Sequence, residues 1–147
     1  IRRGFSMEQF NKAVDILRNK NIKTVVHLIM GLPGESKEDM LKSVKYVSDL
    51  NIWGVKIHML HVLRNTDLAE FYEKNPFKIL SREEYVDLVC DALELLKKDI
   101  VIHRLTGDGK KSDLIEPRWT LHKLKVLSDI DKALEIRESF QGKNLPL

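Results

Sequence analysis

Apolar residues recur at helical spacing, then in short dense or alternating runs, then at helical spacing again, along most of the chain. Ser6-Met7-Glu8-Gln9 is a capping-box pattern, and Phe10, Val14 and Leu17 follow it at helical spacing, which predicts a helix over 7–19. Val25-Val26-His27-Leu28-Ile29-Met30 is a short apolar run, β-branched at three places. Gly31-Leu32-Pro33-Gly34 cuts it off, and the whole predicts a buried parallel strand that ends in a turn. Ser36 then caps a helix over 37–50, with Glu38 and Asp39 at its positive dipole end and Met40, Val44 and Val47 on one face. In 53–60, Val55, Ile57 and Met59 alternate with Lys56 and His58, the pattern of a second strand. A polar loop through Arg64, Asn65 and Thr66 leads to a short helix over 67–73 that Asn75-Pro76 closes. Ser81-Arg82-Glu83-Glu84 opens another helix, with Tyr85, Leu88, Val89, Ala92, Leu95 and Leu96 facing inward. Ile100-Val101-Ile102 reads as a short third strand, and Leu127, Ile130 and Leu134 mark the buried face of a last helix that runs to about 140.

Helices alternating with strands give parallel pairing through helical crossovers, so the fold class is α/β. Three strands are too few to close a barrel, and the edges they leave call for a cover, either further polypeptide or a second copy. The glycine turn after the first strand matters most for function. Gly31 and Gly34 permit positive φ or close backbone approach, and the turn delivers a helix N-terminus to the side of the sheet where such folds bind ligands.

Composition narrows the classes. With 147 residues, 43% hydrophobic and 32% charged, the chain has the makeup of one ordinary globular domain. No apolar run is long enough to span a bilayer and no signal-peptide core is present, so no membrane contact and a cytoplasmic setting are the default. The sole cysteine, Cys90, excludes an internal disulfide and any site built on several cysteines, and reads as a small packed side chain. The chain starts with Ile1 almost directly before a helix, which suggests a piece of a longer protein. A net charge of +3 says little, but across 97–125 basic residues outnumber acidic ones two to one; a solvated face is the first reading of that segment and an anion or RNA contact the second. His27, His58 or His61, and His103 stand near strand ends as metal ligands do in barrel hydrolases, but without an HxH pair or a carboxylate cluster to support them. Thr106-Gly107-Asp108-Gly109 lacks the Lys-Ser/Thr pairing of a P-loop, so its glycines first of all turn the chain.

Three stretches carry a family likeness: Arg2-Arg3-Gly4-Phe5-Ser6 opening a helix, His27-Leu28-Ile29-Met30-Gly31-Leu32-Pro33-Gly34-Glu35, and His103-Arg104-Leu105-Thr106-Gly107-Asp108-Gly109 followed by Pro117-Arg118-Trp119. Together they resemble the C-terminal half of a radical S-adenosylmethionine (SAM) domain, in the uncharacterised branch near the Elongator catalytic subunit and the oxygen-independent coproporphyrinogen oxidases. The resemblance implies a partial (β/α) barrel, of which residues 1–105 would form the C-terminal half and 106–147 a glycine loop and family-specific helix. It implies SAM and a 4Fe–4S cluster in the full-length parent, the cluster on a CxxxCxxC motif that this sequence does not contain, so no cofactor and no activity are expected of the fragment alone. By the same resemblance Ile29 would pack on the adenine, Gly31 would allow close backbone approach, Leu60 and His61 would offer backbone groups to the adenine edge, and Arg3 would serve the SAM carboxylate. The implied partner is the missing N-terminal half of the barrel, with self-association through the open sheet and a nucleic-acid substrate as further expectations. The alternative reading is a non-catalytic interaction module whose sheet edge and basic loop bind a protein or nucleic acid.

Overall fold

The computed structural model describes residues 4–145. Its elements are α1 (Met7–Asn19), β1 (Val25–Met30), α2 (Lys37–Ser48), β2 (Gly54–Met59), β3 (Val62–Leu63), α3 (Asp67–Lys74), α4 (Arg82–Leu95), β4 (Val101–Arg104), β5 (Leu114–Glu116) and α5 (Lys123–Ile136), with a 3₁₀ turn at Arg118–Leu121. The three capping serines do what their spacing predicts. Ser6, Ser36 and Ser81 each accept the N–H three residues on, and Gln9, Asp39 and Glu84 reach back to the cap N–H. Each such cap contributes about 1 kcal/mol and sets where its helix begins.

β1, β2 and β4 form one parallel sheet with β2 in the middle. Residues in register across parallel strands share a face, so the sheet has two unlike sides. Val26 and Met30 of β1 and Val55, Ile57 and Met59 of β2 pack in one cluster with Met40, Val44 and Val47 of α2 and Leu88, Val89 and Ala92 of α4. The other side carries Val25, His27 and Ile29 in register with Gly54, Lys56 and His58, and Arg104 of β4 in register with Lys56 past a bulge. That face is only partly covered. The observed architecture is the open (β/α) sheet with flanking helices that the alternation predicts.

The C-terminal segment is sewn onto this core. Val126 and Ile130 of α5 are fully buried in the same cluster, and Arg137 binds Asp87, Asp91 and Glu94 of α4. The Trp119 indole donates to the Leu80 carbonyl at 2.9 Å, and the buried Tyr85 hydroxyl donates to the Leu105 carbonyl at 3.0 Å.

Several boundaries differ from the sequence pattern. β3 and β5 pair antiparallel as a second small sheet, Val62 with Glu116 and Leu63 with Leu114, and at two and three residues they are too short for alternation to reveal. α2 stops at Ser48, β4 is shifted to 101–104, and α5 stops at Ile136, with Glu138 at positive φ just beyond it. The buried face of α5 is Val126 and Ile130, flanked by Ala133 and Leu134; Leu127 is half-exposed.

Candidate functional site

The carboxyl ends of β1 and β2 are tied together where the chain leaves the sheet. Leu60 N–H donates to the Met30 carbonyl at 2.8 Å, which carries the pairing one residue past β2 and commits the Leu60 N–H. Gly31 leaves β1 at φ +85°, with its N–H directed to the Met40 sulfur at 3.0 Å, and a β-carbon there would stand 3.2 Å from the Leu80 side chain. Glu35 folds back over the turn, accepting from Leu32 N–H at 3.2 Å while its own N–H donates to the Leu32 carbonyl. Burial pushes the Glu35 carboxyl up, against the downward pull of that Leu32 bond. A groove of about 490 Å³ runs along the open side of β1, lined by His27, Ile29, Met30, Leu32, Glu35 and Met40 among others.

Ile29 is half-buried and in register with His58, so it stands on the partly covered face at the strand end. His61 lies under the glycine loop. A β-carbon on Gly107 would meet the His61 ring at 2.6 Å, so this glycine does more than turn the chain: it lets backbone close over an imidazole. Under that loop His61 Nε2 and Thr106 Oγ1 are buried without a hydrogen-bond partner among the described residues. Arg3 lies outside the described residues. The structure therefore brings Ile29, Gly31, Leu60 and His61 to the same end of neighbouring strands.

The histidines do not converge as a metal site. His27 and His58 meet edge to face with ring centroids 6.4 Å apart, whereas His103 packs on Trp53 at 4.7 Å and covers Gly54 at the opposite end of β2. Among the described residues no group of three or more His, Cys, Asp or Glu is placed to hold a metal ion. Cys90 is fully buried in α4, where burial pushes its thiol up. What the sequence pattern did not reveal is a row, His27, Lys56 and Arg104, lying side by side across three strands. Only the register brings it together.

Burial pushes the His58 and His61 imidazoles below their ordinary range. An imidazole held down in the fold is neutral there and protonates more readily when unfolded, so the unfolded state binds the extra proton. Stability is then full above the ordinary histidine value of 6.5 and falls as pH drops below it toward the folded values. Denaturant midpoints measured between neutral pH and about pH 5.5 are expected to fall, and His61→Gln should flatten the slope. An unchanged slope in that variant would remove His61 from the account.

The radical-SAM C-terminal domain family matches residues 52–136, more than half of the chain. The chain belongs to the radical-SAM C-terminal domain family. Its relatives agree with that placement. It is 41% identical to the uncharacterized protein YtqA of Bacillus subtilis over 97% of its own length, and 30% identical, over 73%, to a tRNA uridine(34) acetyltransferase of Methanocaldococcus infernus. Protein YhcC of Escherichia coli is 23% identical over 91% of the chain. The structure of M. infernus Elp3 lacking its N-terminus superposes with a TM-score of 0.78 at 26% identity, over 95% of this chain and 33% of that one. This radical-SAM chain thus has the α/β fold of that region of Elp3 and lies in the branch near these proteins. It covers 44% of YtqA and 21% of the acetyltransferase, so it spans less than half the length of these curated relatives. No helix among the described residues is long and apolar enough to cross a membrane.

Proposed function

We propose that this chain is the SAM-holding second half of a radical-SAM barrel, working with polypeptide that supplies the cluster. The observation that supports the reading is the placement of Ile29, Gly31, Leu60 and His61 at the carboxyl ends of β1 and β2, the ligand side of parallel sheets. These residues fit SAM. Ile29 offers an apolar surface for a purine, the Gly31 turn brings backbone close to it, and the Leu60 and His61 carbonyls accept from an exocyclic amine. Arg3 would serve the SAM carboxylate. The cluster does not fit this chain, because its single cysteine is sealed inside α4 and three thiolates are needed. Bound SAM, with a cluster held by the other polypeptide, would supply radical chemistry there; this chain's own task is to orient the adenosyl group and keep water from that side. Residues 106–147 would cover the carboxyl-end side, through the loop over His61 and the β3–β5 pair. The open edge of β1 favours a second reading, an interaction module without catalysis.

The test is anaerobic purification of a polypeptide that joins this chain to a three-cysteine cluster motif. About four irons per chain and formation of 5′-deoxyadenosine from SAM under dithionite are expected. Ile29→Asp, which sets a carboxylate against the purine, should weaken SAM binding about tenfold or more. An iron-loaded protein that neither binds nor cleaves SAM would overturn the proposal and leave the interaction module.

A further inference from the structure

The half-open face of the sheet sets two cations, Lys56 and Arg104, side by side among imidazoles. His27 of β1, Lys56 of β2 and Arg104 of β4 stand in one register row, His58 follows one pleat nearer the carboxyl ends, and His103 covers Gly54 one pleat back. His27 and His58 touch edge to face. One carboxylate is at hand: Asp108 binds Arg104 at 3.1 Å, but Lys123 takes the same carboxylate at 3.1 Å, so the group keeps an excess of positive charge. Lys56 has no carboxylate partner among the described residues. Like charges directly opposite each other on neighbouring strands destabilise a sheet, and nothing in the core requires cations at these positions, whose neighbours Val55 and Ile57 already face the helices. Such an arrangement is retained at a cost in stability, as at sites that bind.

We propose that the row His27–Lys56–Arg104 binds a phosphate group of the substrate. Arg104 supplies a planar fork of donors, Lys56 a point charge and His27 a ring N–H, which together match the oxygens of a phosphate better than the single charge of a carboxylate. The row lies two residues below Ile29 and four below Leu60, so a phosphate there would hold a substrate beneath the adenosyl group. The inference deepens the reading above, because it names the substrate class of the same barrel face, and it rests on that reading for the word substrate alone.

The experiment titrates the chain with sodium pyrophosphate at constant ionic strength and follows the histidine ring resonances by NMR. Saturable shifts of His27 and His58 are expected, with the dissociation constant raised about tenfold or more in Lys56→Gln and again in Arg104→Gln, each variant first shown folded by circular dichroism. A double variant in the glycine loop, Lys110→Gln with Lys111→Gln, should bind as before. No saturable shift, or an equal loss in the loop variant, would overturn the proposal, since general attraction to positive charge would then suffice. In the cluster-bearing polypeptide Lys56→Gln should leave SAM affinity unchanged; a tenfold loss would make the row part of the SAM carboxylate site and overturn the assignment. A short RNA that binds more tightly than pyrophosphate, and loses as much in Lys56→Gln, would locate the phosphate in a nucleic acid; RNA no tighter than pyrophosphate would locate it in a small molecule. Pyrophosphate binding through the row in a protein that binds no SAM would sink the radical-SAM reading and leave the phosphate site standing.

Discussion

Ile57→Ala will lower the stability of the chain by about 3 to 4 kcal/mol. Ile57 lies in the middle strand with none of its surface exposed, in register with Leu28 of β1 and in one cluster with the buried side chains of α2 and α4. Removing three methyl or methylene groups there loses their transfer energy and opens a cavity that rigid neighbours on three sides cannot fill. Against a total of about 5 to 15 kcal/mol for a domain of ordinary size, the loss is large. Urea unfolding should show a lower midpoint with an unchanged slope, which marks a change in stability and not in the extent of unfolding. Ile16→Ala is the control, because Ile16 is 52% exposed on α1 and should change stability by about 0.5 kcal/mol or less. A small effect at Ile57, or an equal one at Ile16, would mean that the helices do not cover this face of the sheet in solution.

Gly31→Val is expected to have the next largest effect, about 2 to 3 kcal/mol on folding together with loss of SAM binding. At φ +85° a β-branched residue is strained in itself, and its β-carbon would press on Leu80 at 3.2 Å, the residue whose carbonyl holds the Trp119 indole. The disturbance therefore runs from the β1 turn to the C-terminal segment. Gly34→Ala separates the two causes. Gly34 is also at positive φ, +83°, but nothing stands within 4 Å of its β-carbon position, so only the backbone term of about 1 kcal/mol remains. Equal losses in the two variants would show that the contact with Leu80 has no weight.

Much of this fold is legible in the sequence because it is locally determined. Ser6, Ser36 and Ser81 announce their helices through residues three places away, and the run from Val25 to Met30 is strand by composition and by its glycine stop. What could not be read is whatever depends on register. The row of Lys56 and Arg104 exists only because β4 meets β2 past a bulge between Val55 and Lys56, and no spacing in the chain encodes that shift. The same holds for His61 under Gly107, which joins residues 46 places apart through a small antiparallel sheet whose strands are too short to show a pattern. Of the candidate site, the turn at Gly31 is legible because it sits at an abrupt change of pattern, whereas Ile29 and Leu60 enter only through the family resemblance. The place of His103 is set by register too: β4 pairs with the first half of β2, so a histidine near the end of β4 packs over Gly54 and Trp53.

The direction of β1 has a consequence for assembly. Among the described residues β1 is an edge strand, paired only with β2, and extending a barrel from it requires a newcomer that runs the same way. A second copy related by a twofold axis would instead bring its own β1 in the opposite direction, since an isologous contact sets like against like and reverses one of them. Both newcomers need the same row of backbone N–H and C=O groups. Barrel completion and pairing of copies at this edge are therefore mutually exclusive, and the strand that docks first decides between a chain with a lumen and a flat dimer without one.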